Sequence, residues 1–248
     1  MLVYGRFAEV YDKLMADVDR AKWAEYILSL LPGPGLSIAD VACGTGALSI
    51  PLTLFGHRVT GVDSSMDMLR VASEKARLKR LDIPFICEDM RMLSLHKRCD
   101  AIVSACDGVN YLLSAREAEK FFRAAHASLK PGGALLFDVS SRYKLEKVLG
   151  SNTFAEDGEG AAYIWRNEYD EETKLIHMEL TFFEEKANGL FERFTEEHTQ
   201  RAHSEKELIN ALMRAGFEDI AVYAAFTRER PGKDCERIQF SARKREDI

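Results

Sequence analysis

The sequence has no long hydrophobic run and no excess of positive charge. No apolar stretch among its 248 residues reaches the roughly 20 residues that a membrane-spanning helix needs. The opening MLVYGRFAEVYDKLM carries charges where a signal peptide has its apolar core. A formal net charge of −6 argues against a general nucleic-acid binder. We therefore expect a cytoplasmic protein with no membrane partner, and nucleic acid is a poor candidate partner.

Cysteine is scarce as well. The five cysteines are an odd number, and none of them form a CxxC pair. This pattern disfavours both a zinc site and a disulfide framework, and it fits a reducing compartment. We expect no bound metal. The sequence also lacks internal repeats and low-complexity linkers, so its length predicts one large domain, with or without a small insertion.

What the sequence does have, between residues 35 and 149, is an alternation of short apolar segments with amphipathic ones. This alternation predicts a doubly wound parallel α/β sheet with helices on both faces. Such sheets bind their ligands at the carboxyl ends of the strands. The predicted strands are SIADVA, RVTGVD, IPFICED, CDAIVSACD and ALLFDVSS, and the predicted helices span residues 8–31, 46–55, 66–79 and 114–129.

The pattern changes after Gly150 to alternating apolar and polar residues, which predicts an insertion of antiparallel strands. Residues 151–200 contain 13 acidic and 4 basic side chains, an excess that we assign to the solvated face of a two-faced sheet. A capping box formed by Ser204 and Glu207 then predicts a helix. Two further strands, near 218–227 and 235–243, are expected to close the chain.

Two glycines, Gly44 and Gly46, follow the first predicted strand. Glycines at this point permit a tight turn and close approach of a ligand to the backbone, although they could serve the turn alone. Asp63 ends the second strand 17 residues after Gly46. A carboxylate in that place can accept hydrogen bonds from the hydroxyls of a ribose. The alternative is that Asp63 only caps the next helix.

Acidic residues surround this predicted site. Asp40 lies inside the first strand, Glu88 and Asp89 end the third strand, and Asp107 ends the fourth. A buried Asp40 would be costly without a partner. A nicotinamide cofactor would call for a third glycine where Ser49 stands, and it offers no account of Glu88 and Asp89. The acidic rim therefore favours a cationic adenosyl ligand, with an NAD-dependent oxidoreductase as the alternative.

Five segments follow one another in the order typical of a known family: DVACGTGALSIPL, GVDSSMDML, CEDMRML, DAIVSACDGVNYL and LKPGGALLFDV. With these segments the sequence resembles, over residues 35–140, the class I S-adenosylmethionine-dependent methyltransferases. The resemblance implies a Rossmann-like seven-stranded sheet whose last strand is antiparallel, with S-adenosylmethionine as cofactor. It places the methionine end of the cofactor near Asp40, Ala42, Gly44 and Gly46, the ribose at Asp63, the adenine near Ser64, Met68, Asp89 and Met90, and the methyl group above Cys106 and Asp107.

The opening YGRFAEVYDKLMADVDRAKW resembles a subgroup of this class that has an F-A-x-x-Y-D segment and a β insertion and is similar to small-molecule N-methyltransferases. In that subgroup the opening folds over the cofactor, which would place Tyr4 and Tyr11 near the methionine part; simple helix packing is the alternative. The expected organisation is an N-terminal helical segment (1–34), a core (35–149 and 202–248), and a β insertion (150–201) near the active-site mouth, which is also a candidate homodimer surface.

Methyl transfer needs alignment of the acceptor more than strong acid–base machinery. The N-P-P-[YF] run of enzymes that methylate planar amide or adenine nitrogens is absent, so we expect a small-molecule acceptor, methylated at nitrogen or oxygen.

Neighbouring glutamates could raise the pKa of His198, although we slightly favour a strand-surface histidine. We interpret Cys106 as a core cysteine. A non-enzymatic adenosyl-binding module is a further alternative. The catalytic candidates are Asp107, Tyr111 and His198, with Asn110, Arg142, Tyr143 and Trp165 as further residues near the mouth.

Overall fold

The structure, a computed structural model, describes residues 20–158, 160–186 and 188–246. Within these ranges the chain forms a seven-stranded sheet with helices on both faces and a separate four-stranded antiparallel sheet. None of the described helices is both long and apolar enough to cross a membrane. The helices are α1 (Arg20–Leu30), α2 (Ser49–Leu54), α3 (Met66–Leu78), α4 (Ala115–Ser128) and α5 (Glu205–Ala215). The strands are β1 (Ser37–Val41), β2 (Arg58–Asp63), β3 (Phe85–Cys87), β4 (Cys99–Ser104), β5 (Leu129–Ser140), β6 (Thr153–Gly158), β7 (Ala161–Asp170), β8 (Leu175–Glu185), β9 (Phe191–Arg201), β10 (Phe217–Ala224) and β11 (Arg237–Lys244).

The large sheet has the strand order β10-β11-β5-β4-β1-β2-β3. Strands β1 to β5 pair in parallel, whereas β11 is antiparallel to both of its neighbours, β5 and β10. This arrangement confirms the predicted fold class. The strand order reverses between β1 and β4, so the loops that follow these two strands diverge and leave a crevice at the carboxyl edge.

Apolar side chains cover both faces of this sheet. On one face Phe122, Phe137 and Leu212 belong to a fully buried cluster that joins α4, β5 and α5. On the other face Ile27 and Leu52 join α1 and α2 to the sheet. Because both faces are covered, the central strands are apolar on both sides, as in buried parallel sheets generally.

Serine side chains fix where three of the helices begin. The side chains of Ser65, Ser114 and Ser204 each accept a hydrogen bond from the backbone three residues ahead, which satisfies an otherwise unpaired N–H group. The caps at Ser65 and Ser204 confirm two predicted helix starts. Gly216 ends α5 in the left-handed conformation, with φ of 95°, where glycine costs least.

Several predicted boundaries were wrong. The helix expected over 46–55 contains only Ser49–Leu54, because residues 43–48 turn tightly and the Gly46 amide donates to the Cys43 carbonyl. The fifth strand begins at Leu129, ahead of the KPGG segment, which is accommodated as an irregularity in the pairing of β4 with β5. The third strand is limited to Phe85–Cys87, and the predicted helix over 8–31 is described only from Arg20.

The insertion forms the second sheet, in the order β6-β7-β8-β9. Strand β6 and a π-helix at Lys144–Leu149 were not expected from the sequence. One face of this sheet packs onto the core: Phe182 contacts the buried Met68 of α3, and Met178 packs with Leu145. His198 and Gln200 alternate on β9 and are both buried, so they lie on this inner face.

Candidate active site

The turn after β1 is built for close approach of a ligand. Ala42, Gly44 and Gly46 all have positive φ angles, of 58°, 53° and 72°. A Cβ atom added to Gly44 would meet none of the described atoms within 4 Å, whereas one added to Gly46 would lie 3.2 Å from Ala72 and 3.4 Å from Phe85. Gly46 therefore serves packing against α3, and Gly44 borders open space.

Two carboxylates lie beneath this turn. Asp40 is 1% exposed and accepts a 2.5 Å hydrogen bond from the Ser49 hydroxyl; burial raises the pKa of Asp40 to about 7. Asp63 accepts hydrogen bonds from the backbone amides of Gly44, at 2.8 Å, and Ser65, at 2.9 Å. Burial also raises the pKa of Asp63. Asp63 thus fixes the glycine turn, and each of its oxygens keeps a lone pair for a further donor.

A cleft of about 290 Å³ opens beside Asp63. Five of the residues predicted to bind the cofactor line it, together with the catalytic candidate Tyr111. Met68 is not among the lining residues, because it is 2% exposed and packs under the insertion. Tyr4 and Tyr11 lie outside the described residues. The lining residues that were predicted to bind the cofactor are Ala42, Asp63, Ser64, Asp89 and Met90.

The turn after β4 has an unusual backbone. Cys106 and Asp107 both adopt the left-handed conformation, with φ of 59° and 58°. The carboxylate of Asp138 on β5 holds them there, accepting hydrogen bonds from the Cys106 amide at 2.7 Å and the Asp107 amide at 3.1 Å. The interpretation of Cys106 as a core cysteine was wrong, because this turn lifts its side chain out of the sheet and leaves it exposed.

Two residues that sequence reasoning missed anchor Asp107. Arg237 on β11 pairs with Asp107 at 3.0 Å and also with the fully buried Asp138. The amide of Gln200 donates to the other Asp107 oxygen at 2.8 Å. Asp138 and Arg237 are far apart in the sequence and meet because β5 and β11 are neighbours in the large sheet, whereas Gln200 reaches Asp107 from β9 of the second sheet.

The three catalytic candidates come together at this point. The Tyr111 hydroxyl lies 3.3 Å from Nδ1 of His198, and Asp107 directly precedes the 3-10 helix Gly108–Tyr111 that carries Tyr111. Both expectations for His198 were wrong: it is 6% exposed rather than on the surface, and burial lowers its pKa to about 4, with Asp107 opposing that shift only in part. Its imidazole is therefore neutral at pH 7.

The other mouth candidates are engaged elsewhere. The Asn110 side chain is fully buried and bonds to backbone groups of Ser140 and Arg201. Arg142 pairs with Glu146 at 2.9 Å on an exposed turn. The Trp165 ring packs against Phe154, and its indole N–H has no partner among the described residues. Tyr143 is half-buried at the start of the π-helix.

Known methyltransferases are similar to this chain in sequence. Residues 38–133 match the profile of a methyltransferase domain. YqeM of Bacillus subtilis (strain 168), a protein named as a methyltransferase, is 37% identical over 249 aligned positions that cover 100% of this chain and 99% of YqeM. The chain belongs to the class I S-adenosylmethionine-dependent methyltransferases. It is therefore an enzyme with S-adenosylmethionine as cofactor, and the NAD-dependent oxidoreductase and the non-enzymatic module are set aside.

Solved methyltransferase structures have the same fold. An S-adenosylmethionine-dependent methyltransferase from Clostridium acetobutylicum ATCC 824 superposes with a TM-score of 0.87 at 32% identity, covering 98% of this chain and 99% of that one. The sugar N-methyltransferase KedS8 from Streptoalloteichus sp ATCC 53650 gives a TM-score of 0.76 at 23% identity, covering 96% and 93% of the two chains. At this lower identity the likeness shows the fold alone.

Proposed function

We propose that this methyltransferase transfers a methyl group to the nitrogen of a small-molecule amine. The observation that carries the proposal is the neutral His198 beside Tyr111, on the loop that also presents Asp107. An amine is an ammonium ion in neutral water and has no lone pair to attack with until it loses a proton. A carboxylate attracts the ammonium form, whose proton leaves to water, and the neutral Tyr111–His198 pair then hydrogen-bonds the free amine.

In this proposal Asp107, Tyr111, His198 and the insertion have separate roles. Asp107, held by Gln200 and Arg237, orients the acceptor ammonium at the carboxyl end of β4. The Tyr111 hydroxyl donates to Nδ1 of the neutral His198 and keeps its oxygen lone pairs for an N–H group of the amine. The insertion excludes water, since its inner face closes over the core. S-adenosylmethionine supplies the methyl group already activated on a sulfonium, so alignment is the main task left to the chain.

We also propose the placement of the cofactor. Asp40 and the turn at Gly44 lie where the charged methionine end would bind, and Asp63 lies where the ribose hydroxyls would. Ser64, Asp89 and Met90 line the cleft for adenine. The acids suit the positive charges of this cofactor, and the open space beside Gly44 leaves room for it.

The name of KedS8 states that it methylates sugar nitrogen, which supports an amine acceptor here without identifying it.

Three further expectations stay predictions: a cytoplasmic location, membership of the subgroup with an N-terminal segment that covers the cofactor, and a homodimer formed through the insertion. Sedimentation of the purified chain would test the homodimer, because a monomer at micromolar concentration contradicts it.

The first experiment is calorimetric titration with S-adenosylhomocysteine and NAD, followed by a screen of acceptors in matched amine and alcohol pairs. We expect binding of the adenosyl ligand alone, and a mass gain of one methyl group on amines. Tyr111→Phe and His198→Gln should keep cofactor affinity and lose most of the turnover, by about 10²-fold or more. Methylation of alcohols but not of the matching amines would overturn the proposal.

A further inference from the structure

We propose that Arg91 is a positioning residue for adenine recognition, which rests on the cofactor placement proposed above. Arg91 lies in the short 3-10 helix Met90–Met92, directly after the acidic end of β3. Its guanidinium joins two walls of the cofactor cleft, the loop that carries Asp89 and the start of α4 at Glu117. Residues from both walls line the cleft.

The Arg91–Asp89 contact is bidentate. Nε of Arg91 lies 3.0 Å from each Asp89 oxygen, and Nη2 donates to Oδ2. The backbone amide of Arg91 adds a third donor, to Oδ1 at 2.8 Å. These three N–H groups make four contacts, two on each oxygen, so a further N–H group can bind Asp89 only in place of one arm of the shared Nε–H contact. Arg91 therefore sets the direction in which Asp89 can accept another hydrogen bond.

The Arg91–Glu117 contact fixes the opposite wall. Nη1 of Arg91 lies 2.5 Å from Oε1 of Glu117, while Oε2 accepts a hydrogen bond from the Leu113 amide at 2.7 Å. The Glu117 amide in turn donates to the Ser114 hydroxyl that caps α4. One side chain thus links the acidic loop to a capped helix terminus, and its hydrogen bonds to Asp89 lower the pKa of that carboxyl, which keeps it ionised.

Adenine presents an exocyclic amine, which is a donor, and hypoxanthine presents a carbonyl oxygen at the same position, which is an acceptor. A carboxylate held with one lone pair towards the ligand accepts from the amine and repels the carbonyl. A carboxylate free to rotate discriminates less. Arg91 thus contributes to cofactor selectivity by holding Asp89, although it also lines the cleft itself.

The test compares the binding of S-adenosylhomocysteine and its deaminated analogue S-inosylhomocysteine, both measured by calorimetry. The wild type should prefer the adenosyl ligand. Arg91→Met should weaken the binding of the adenosyl ligand about tenfold and lose most of the preference for it. Arg91→Lys should recover part of the affinity but little of the preference, because lysine cannot make the bidentate contact. Asp89→Asn should lose the preference as well, since its amide can donate to the carbonyl.

Arg123→Met is the matched control, because Arg123 forms an exposed pair with Glu119 on the same helix α4. It should leave both affinities unchanged. If Arg91→Met lowers the melting temperature but keeps the wild-type preference, Arg91 is only structural and the inference fails. Tighter binding by Arg91→Met also overturns it. If the wild type binds neither ligand, the proposed cofactor placement is what fails.

Glu117→Gln leaves the contact between Arg91 and Asp89 in place, so this variant should retain the preference for the adenosyl ligand.

Discussion

At the scale of single residues, Asp40 has the environment with the clearest consequence for binding. Its carboxyl lies inside β1, almost without solvent contact, and burial raises its pKa to about 7. In the proposed placement the ammonium group of the cofactor stabilises the ionised form. Below pH 7 the carboxyl must then lose a proton for the cofactor to bind, so binding and proton release are coupled.

We therefore expect the affinity for S-adenosylhomocysteine to fall as the pH drops below about 7, by up to tenfold per pH unit. Calorimetry at pH 6 in buffers of different ionisation enthalpy should show release of a proton. Asp40→Asn should remove the pH dependence. An affinity of the wild type that is constant between pH 8 and 5.5 would contradict the role of Asp40, since the coupling spans about that range.

Residues at strand ends were the part of the site that the sequence could predict. Asp63, Asp89 and Asp107 each follow a recognisable apolar run, so their common edge followed from the predicted topology. Arg237 and Gln200 carry no such signal, because each lies in an ordinary alternating strand. The direction of the His198 pKa shift was missed for a related reason: of its two nearest glutamates on β9, Glu197 is exposed on the outer face and only Glu196 lies on the inner face with His198.

At the scale of secondary-structure elements, β11 does more than complete the sheet. Its first residue, Arg237, pairs with Asp107 and Asp138, and the Arg237 guanidinium lies 5.6 Å from the centre of the Trp23 ring on α1. The insertion adds a second link, because Gln200 of β9 bonds to Asp107. The turn after β4 is therefore held by three elements that fold around it.

Arg237→Met should destabilise the protein by about 3 kcal/mol, because it leaves the carboxylate of Asp138 buried without a positive partner. Urea unfolding measures this loss. Arg230→Met is the control, since Arg230 is 77% exposed in its pair with Glu205 and should change stability by less than about 0.5 kcal/mol. A similar small cost for both variants would show that Arg237 does not anchor the turn. Asp138→Asn in the Arg237→Met background should recover part of the loss.

Element types were predicted better than element ends. Short apolar segments marked β1, β2 and β4, apolar–polar alternation marked β7 and β8, and the capping box at Ser204 marked α5. The ends depended on tertiary contacts that no local pattern encodes. The KPGG segment joined β5 because its neighbour β4 tolerates a bulge, and β6 formed because β7 offered it an edge.

At the scale of the whole molecule, two buried groups should give opposite pH dependence to stability. His198 has a folded pKa of about 4, so between about pH 6.5 and 4 the unfolded chain binds a proton that the folded chain does not, and stability rises with pH. Asp40 has a folded pKa of about 7, so between about pH 4 and 7 the folded chain keeps a proton that the unfolded chain releases, and stability falls with pH. The two contributions oppose each other in the wild type.

Removing either group should therefore expose the other. In Asp40→Asn the free energy of unfolding should rise with pH between 4.5 and 6, and in His198→Gln it should fall, relative to the wild type in each case. Each slope changes by up to about 1.4 kcal/mol per pH unit, so the two variants differ by about 2–3 kcal/mol per unit. Other shifted groups, such as Glu207, are common to both variants and cancel in the difference. Urea unfolding of the two variants at four pH values measures this difference directly. Parallel curves would mean that the two sites are hydrated in solution, because only burial drives the two pKa values apart.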